Sequence, residues 1–372
     1  MKPEENTLKI PHDILKNFIK DVFISLGVRS DDAQICASVL ITADIRGIDS
    51  HGIGRLKPIY YDRIKKFGIQ KAVSEIKTVR DFGATAVIDG GHGMGMVISQ
   101  KCMKLAMEKA SKFGVGVVTA RNSTHYGFAA YYPLMAADKG MIGMTTTNAR
   151  PSIAPTFGVE PMLGTNPLVF AFPTDEEFHF TNDYATSITQ RGKIEQYERL
   201  GKEMPPGWVI DSSGKTKTDP GEVLKDLVSG EAALTPIGGI GEESGGYKGY
   251  GFAAVAEVLS SALQQGAFLK ALSGFDENGK RIPYSLGHFF MAVNIEAFTE
   301  TDKFRKTTGD IMRSLRNSKK APGANRIYTA GEKEHIASID RKKSGIPIPE
   351  SLKKEIILMR EECGLENYDF GF

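Results

Sequence analysis

Four short apolar segments set the strongest constraint on how this chain folds. TAVIDG (85–90), GVGVVTAR (114–121), GMIGMTTTN (140–148) and LVFAFP (168–173) are β-branched or apolar and bounded by Gly, Pro or Asn, the pattern of core strands. Helical patterns lie between or beyond them, notably MVISQKCMKLAMEKASKF (96–113) and FAAVAEVLSSAL (252–263), so the spacing predicts an α/β layer architecture. The two ends read differently. From Pro11, residues Leu15, Phe18, Ile19, Val22, Phe23 and Leu26 form the stripe of an amphipathic helix stopped by Gly27. Ser30, followed by Asp31 and Asp32, opens a second helix towards Asp44. Residues 302–318, 331–343 and the stretch carrying Leu352, Ile356, Ile357 and Met359 also read as helices. The expected organisation is a helical domain of residues 1–75 with 300–372, and an α/β domain of residues 76–299 for cofactor and substrate. There is no internal repeat.

Composition narrows the partners. At 372 residues and 41% hydrophobic, the chain can bury one large core or two moderate ones. Its 47 Lys and Arg against 45 Asp and Glu leave a formal charge of +2, which favours a small molecule over nucleic acid or a membrane as partner. Cys36, Cys102 and Cys363 are odd in number and widely separated, which fits reduced thiols in the cytoplasm rather than a disulfide framework. MKPEENTLKI carries no apolar leader core, and no run approaches the roughly 20 apolar residues of a membrane helix. No metal is expected, since there is no H-E-x-x-H, no cysteine pair and no Asp-rich calcium loop.

Two polar, glycine-bearing loops carry the candidate chemistry. Asp49-Ser50-His51-Gly52-Ile53-Gly54-Arg55 gathers a carboxylate, a hydroxyl, an imidazole and a guanidinium just past a helix end. Arg121-Asn122-Ser123-Thr124-His125-Tyr126-Gly127 follows an apolar strand, which puts His125 at a strand's C-terminal end, where α/β sheets collect ligands. Histidine is the side chain best matched to proton transfer near neutral pH. His12, His92, His179 and His335 lack such neighbours and read as surface or packing residues. A serine hydrolase is disfavoured, because Ser50 lacks the G-x-S-x-G elbow and adjacent Ser50 and His51 are expected to point apart.

The chain's imitation of a dinucleotide fingerprint fails on two counts. Gly91-His92-Gly93-Met94-Gly95-Met96 follows a strand and opens a helix, but Met96 occupies the third glycine position and the next strand ends in Thr119-Ala120-Arg121 instead of an acidic ribose ligand. It reads as a Gly-rich turn. Gly245-Gly246-Tyr247-Lys248-Gly249-Tyr250-Gly251 is expected to precede a helix and is not a phosphate loop of the G-x-x-x-x-G-K-[ST] type; Lys248 there is either an anion ligand or a solvated loop residue.

Taken in order, DIRGIDSHGIGRL, NSTHYGFAAYY, MLGTNPLVFAFP, DYATSITQRGK, GGYKGYGF and APGANRI resemble the successive motifs of the malate/L-lactate dehydrogenase family, which is distinct from the Rossmann-type lactate and malate dehydrogenases. The resemblance implies a three-layer α/β/α core with a mixed sheet and a non-Rossmann NAD(P) site. It implies hydride transfer between NAD, or NADP, and a small 2-hydroxy or 2-oxo acid, and a homodimer. Malate is the substrate expected first; lactate, sulfolactate, ureidoglycolate and cyclic imino acids are those of other members.

Such chemistry needs a base for the hydroxyl proton, a cation for the carboxylate and a pocket that sets the nicotinamide against the substrate carbon. The resemblance attaches proton transfer to histidines of both motifs; His125 is favoured here as the base, with Ser50 and His51 as a paired relay. Arg55 offers a planar fork for the substrate carboxylate, and Asn148 and Thr165 add hydrogen bonds. For the cofactor, the resemblance implies His125, Tyr126 and Gly127, then Asp183, Tyr184 and Ala185 of the D-x-A-T-S motif. It adds Arg191, Gly192 and Lys193 near the pyrophosphate, Lys248, His288 and Phe289, and Arg326 near the adenosine end. Tyr184 stands where the family has a smaller residue, His288-Phe289 replaces a Gln-x-Phe pattern, and Asn294 replaces a frequent aspartate. Two other classes compete: a nucleotide-independent hydrolase or lyase using Ser50 and His51, and a catalytically silent binding protein. The joint presence of His51, Arg55 and His125 argues against the second, and NADH fluorescence separates the first.

Overall fold

The structure, a computed structural model, describes residues 8–372; most of the N-terminal segment read above as lacking a leader lies outside the described residues. Strand β1 (Leu8–Ile10) pairs antiparallel with Ile346–Ile348, which ties the two ends of the chain together. Helix α1 (His12–Ser25) buries the predicted stripe of Leu15, Phe18, Ile19, Val22 and Phe23. Helix α2 (Ser30–Ile45) is apolar on most sides, with Cys36, Ala37, Val39, Leu40, Ile41 and Ala43 all buried, because it lies between α1 and the rest of the molecule. A π-helical segment, Leu56–Lys66, follows the DSHGIGR stretch, and its last turn is closed by a bond from the Phe67 N–H to the Asp62 carbonyl five residues back.

The central part of the chain builds a sheet. In chain order come β2 (Lys77–Phe82), β3 (Thr85–Asp89), α3 (Gly95–Phe113), β4 (Val115–Ser123), α4 (Tyr131–Ala137), β5 (Met141–Thr147), β6 (Leu168–Phe172) and β7 (Phe180–Tyr184). A smaller unit of α5 (Arg191–Arg199), β8 (Val209–Asp211), α6 (Pro220–Ser229) and β9 (Ala232–Leu234) precedes α7 (Gly246–Leu259) and β10 (Leu286–Asn294). The chain ends with α8 (Thr301–Asn317), α9 (Glu332–Ser344), β11 (Ile346–Ile348) and α10 (Glu350–Glu362). The seven-stranded sheet runs β2-β3-β4-β10-β5-β6-β7 and is mixed, with β3 and β4 parallel and every other neighbour antiparallel. The four predicted strands are thus β3, β4, β5 and β6.

Helices cover both faces of the sheet. Thr147 and Asn148, adjacent at the end of β5, show the two sides: Thr147 bonds His288 beneath α3 and α4, while Asn148 reaches Glu257 of α7 on the other face. The result is the expected three-layer α/β/α arrangement. One apolar core runs from Ile10 through α1, α2, α3, β4, β10 and α10 to Phe370. A second, smaller core gathers Ile153, Leu163, Ile194, Val209, Val223 and Leu234 around the α5–β9 unit.

The Gly-rich turn before α3 is closed by the side chain of Thr124. Thr124 caps the helix, since its hydroxyl accepts the Gly95 N–H at 3.0 Å and donates to the Gly93 carbonyl at 2.8 Å. The Gly245–Gly251 stretch corrects the sequence reading. It does not precede a helix but forms the first turns of α7, because Gly249 lets the helix approach the Ile237 backbone so closely that a Cβ would stand 2.2 Å from its oxygen.

Candidate active site

DSHGIGR folds as two tight turns, Asp49–His51 and Ile53–Arg55, pinned from both ends of the chain. The buried Asp44 carboxylate accepts the Ile53 N–H at 2.7 Å and lies so close under Gly52 that a Cβ there would stand 1.7 Å from its Oδ1. Arg341 of α9 pairs with Asp49, with Nη2 3.0 Å from Oδ2, and donates to the Asp44 carbonyl at 2.6 Å. The turn brings Ser50 Oγ within 2.8 Å of His51 Nδ1. Adjacent Ser50 and His51 therefore do not point apart as expected, since the compact helical turn rotates successive side chains by far less than a strand would.

His125 follows β4 and faces the DSHGIGR turns. Its ring lies nearly parallel to that of His51, with centroids 6.0 Å apart and an interplanar angle of 14°. His125 Nδ1 is 2.7 Å from the Tyr60 hydroxyl and 3.2 Å from the Gly127 N–H, so Nε2 is the nitrogen left for a substrate. A third histidine, His288 of β10, is fully buried between the hydroxyls of Thr147 and Ser123, each 2.7 Å away, and stacks on Tyr126 at 4.7 Å.

These groups wall a cavity of about 170 Å³. Ser50, His51, His125, Asn148 and Thr165 line it, as do Tyr126, Gly127, Asp183, Tyr184 and Ala185 of the expected cofactor set. Asn148 is held from behind: its amide donates to Glu257 at 3.4 Å and to the Ala267 carbonyl at 3.1 Å, and its oxygen accepts the Gly287 N–H at 2.8 Å. A second cavity of about 280 Å³ shares Ile48, Phe128 and Asp183 with the first and continues past Arg46, Tyr328 and Lys333.

Burial dominates the electrostatics. Burial pushes His51 down to about 4, with Arg55 adding to the effect, and pushes His288 down to about 3. His125 falls well below the usual histidine range for the same reason, helped by His51, Arg63 and Arg55. All three imidazoles are thus neutral at pH 7. Asp183 is open to the cavity but enclosed by protein, and this enclosure pushes its carboxyl up to about 6 against a hydrogen bond from the Ala130 N–H.

Other predicted residues lie outside these cavities. Arg55 directs Nε to the Ser50 carbonyl at 2.6 Å, and its two terminal nitrogens form no bond among the described residues. Arg191 pairs with Glu195 at 2.9 Å and Lys193 bonds Gln196 at 3.0 Å on the outside of α5, with Gly192 between them; neighbouring Gln190 does line the first cavity. Lys248 is exposed on α7, Phe289 is buried within the sheet, and Arg326 pairs with Glu332 while lying over the ring of Tyr328. Among the described residues no cluster of three His, Cys, Asp or Glu could hold a metal, and no helix is long and apolar enough to cross a membrane. Sequence reasoning missed Tyr60, Glu257 and Arg46. Tyr60 and Arg46 sit beside the DSHGIGR motif, and a buried-face tyrosine one helical turn beyond it was the available signal.

Comparisons with known proteins agree with this geometry. The model of the malate/L-lactate dehydrogenase family matches residues 10–357. A malate dehydrogenase of Pyrococcus abyssi is 42% identical over 366 residues, covering 98% of each chain. An L-sulfolactate dehydrogenase of Methanocaldococcus jannaschii is 37% identical over 372 residues, covering 100% of this chain and 99% of its own. The crystal structure of malate dehydrogenase from Entamoeba histolytica superposes with a TM-score of 0.94 at 42% identity, over 99% of this chain and 100% of that one. The chain therefore belongs to the malate/L-lactate dehydrogenase family, oxidoreductases of 2-hydroxy acids.

Proposed function

We propose that the protein interconverts malate and oxaloacetate with NAD as the cofactor. The stacked His51–His125 pair, set in a cavity wall with Asn148 and Thr165, carries this reading. Relatives at 41–42% identity named malate dehydrogenase support the substrate.

The residues present fit a dinucleotide. Two neighbouring cavities share Asp183 as a wall, and the second is lined by Arg46, whose buried Nε has no hydrogen-bond partner among the described residues. Such an unpartnered N–H suits a phosphate oxygen. Asp183 and Glu334 offset Arg46 and Lys333 in that cavity, leaving no surplus positive charge for the 2′-phosphate of NADP. Asp183, Tyr184 and Ala185 would hold the nicotinamide end, and the nicotinamide, when bound, takes or gives the hydride.

The chain's own residues manage the proton. In oxidation His125 Nε2 takes it from the substrate hydroxyl, and the Tyr60 hydroxyl, 2.7 Å from Nδ1, holds the ring. His51 and Ser50 relay the proton outward, and Arg55 grips the carboxylate through its free terminal nitrogens. In reduction the imidazolium returns the proton to the forming alkoxide. The exposed apolar face of α7, with Phe252, Val255 and Val258 each about half exposed or more, supports a homodimer through that helix. Three free thiols support a cytoplasmic location. The test is the initial rate of NADH oxidation with oxaloacetate, pyruvate and sulfopyruvate, repeated with NADPH. Fastest turnover of oxaloacetate with NADH is expected; no oxidation with any 2-oxo acid would overturn the reading.

A further inference from the structure

Arg63 belongs to the π-helical segment one turn beyond Tyr60, and its guanidinium lies 4.2 Å over the ring of Tyr284. It is largely enclosed by protein, yet it forms no ion pair and no hydrogen bond among the described residues. Its neighbours make this unusual. Burial, with Arg150 and Arg281 nearby, depresses its own ionisation, and only the Tyr284 and Tyr60 side chains are set against this. Arg121 and Arg313, by contrast, have carboxylate partners: Arg121 meets Asp89 at 3.0 Å and Arg313 meets Asp175 at 3.0 Å. A buried guanidinium among like charges is costly unless an anion arrives to balance it.

The cluster is tied to the reaction site: Arg63 shares its helical segment with Tyr60, whose hydroxyl is 2.7 Å from His125 Nδ1. Tyr284 stands two residues before Leu286, and Arg150 follows Ala149, and both Leu286 and Ala149 line the cavity that holds His125. Arg63 also helps depress His125, which puts the guanidinium within electrostatic reach of the reacting histidine. Arg55 already offers its free nitrogens to one carboxylate, so a second unpaired cation within that reach calls for a second negative group.

We propose that Arg63, with Arg150 beside it, binds the distal acid group of the substrate, so that the site selects dianionic 2-hydroxy and 2-oxo acids over monoanionic ones. This rests on the dehydrogenase reading above. An Arg without a competing carboxylate offers a bidentate fork, and the ring of Tyr284 fixes its plane for the incoming acid. The selectivity comes from a cation left unbalanced by a monoanion.

The experiment measures kcat/KM for oxaloacetate and for pyruvate in the whole enzyme and in Arg63→Met, and reads the ratio of the two. The ratio is expected to fall at least 10-fold in Arg63→Met; a smaller fall overturns the inference, because it means that Arg63 supports both substrates alike. If Arg63→Met fails to fold, Arg150→Gln, at an exposed position, carries the test, with a fall of at least threefold expected and a smaller one overturning it. A wild-type enzyme that prefers pyruvate overturns the inference and leaves hydride transfer standing. A wild-type enzyme that oxidises NADH with neither acid removes the dehydrogenase reading itself.

Discussion

The Tyr60 hydroxyl and His125 Nδ1 are 2.7 Å apart, in a bond that spans 65 residues of sequence and joins the π-helical segment to the end of β4. The phenol decides which nitrogen of His125 serves the substrate. In the imidazolium Tyr60 accepts the Nδ1 proton in a hydrogen bond, and Nε2 faces the cavity. Tyr60→Phe removes that acceptor. The imidazolium loses more than the neutral ring, so the His125 pKa falls further. The kcat for oxaloacetate reduction is expected to drop about 10-fold, with its pH profile displaced to lower pH and NADH affinity little changed. Stopped-flow rates between pH 5 and 8 check this, and an unmoved profile would remove Tyr60 from the proton path.

The two stacked histidines have separable roles. His125→Asn keeps some hydrogen bonding but cannot take a proton, so kcat is expected to fall about 100-fold or more. His51→Asn is expected to cost less. Both rings are neutral at pH 7 because burial depresses them. Malate oxidation, which needs the neutral base, is therefore level through neutral pH and falls only as acid protonates the ring. Oxaloacetate reduction, which needs the imidazolium, rises over the same interval. If His51→Asn abolishes this mirror relation and His125→Asn preserves it, the roles are reversed.

The parts of this site that were legible in the sequence are those written locally. Strands β3 to β6 carry β-branched residues between Gly, Pro and Asn, and α1 carries its stripe, so periodicity found them. His51 and His125 stood out through their polar, Gly-bearing loops. The insertion of β10 between β4 and β5 could not be read this way, because its partners lie more than 130 residues upstream along the chain. The start of α7 was hidden for the opposite reason. GYKGYG looks helix-breaking, but its glycines serve close packing against Ile237. Tyr60 and Arg63 were obscured by the π-helical segment, whose wider turn leaves no 3.6-residue stripe to follow.

Arg55 tests recognition of the carboxylate next to the reacting carbon. Its Nε is committed to the Ser50 carbonyl at 2.6 Å, which orients the fork and leaves two terminal nitrogens for the substrate. Arg55→Lys keeps the charge and loses both the anchor and the two-point contact. A loss in kcat/KM of about 10- to 1,000-fold is expected, with oxaloacetate and pyruvate affected alike because both carry this carboxylate. NADH titration should give nearly the wild-type affinity. Unchanged turnover would place the carboxylate elsewhere.

Asp44 links the site's geometry to the pH dependence of stability. Burial raises its carboxyl to about 8, with Asp49 adding to the rise and the Ile53 N–H and Arg341 opposing it. A carboxyl whose folded pKa lies above its unfolded value of about 3.9 binds a proton more tightly in the native state. Its contribution is therefore favourable below about pH 4 and is lost progressively as pH rises through 8. Asp44→Asn keeps an oxygen to accept the Ile53 N–H and removes the titration, so its Tm advantage over wild type is expected to grow from pH 5 to pH 8 and then level off. A gain of about 5 °C or more at pH 8 is expected, at roughly 2–4 °C per kcal/mol. Because the same carboxylate holds the turn that carries His51 and Arg55, the variant should retain turnover at pH 7, where wild-type Asp44 is mainly protonated. Calorimetry across this pH range decides the matter: an advantage that shrinks as pH rises would mean that Asp44 is ionised in the native protein.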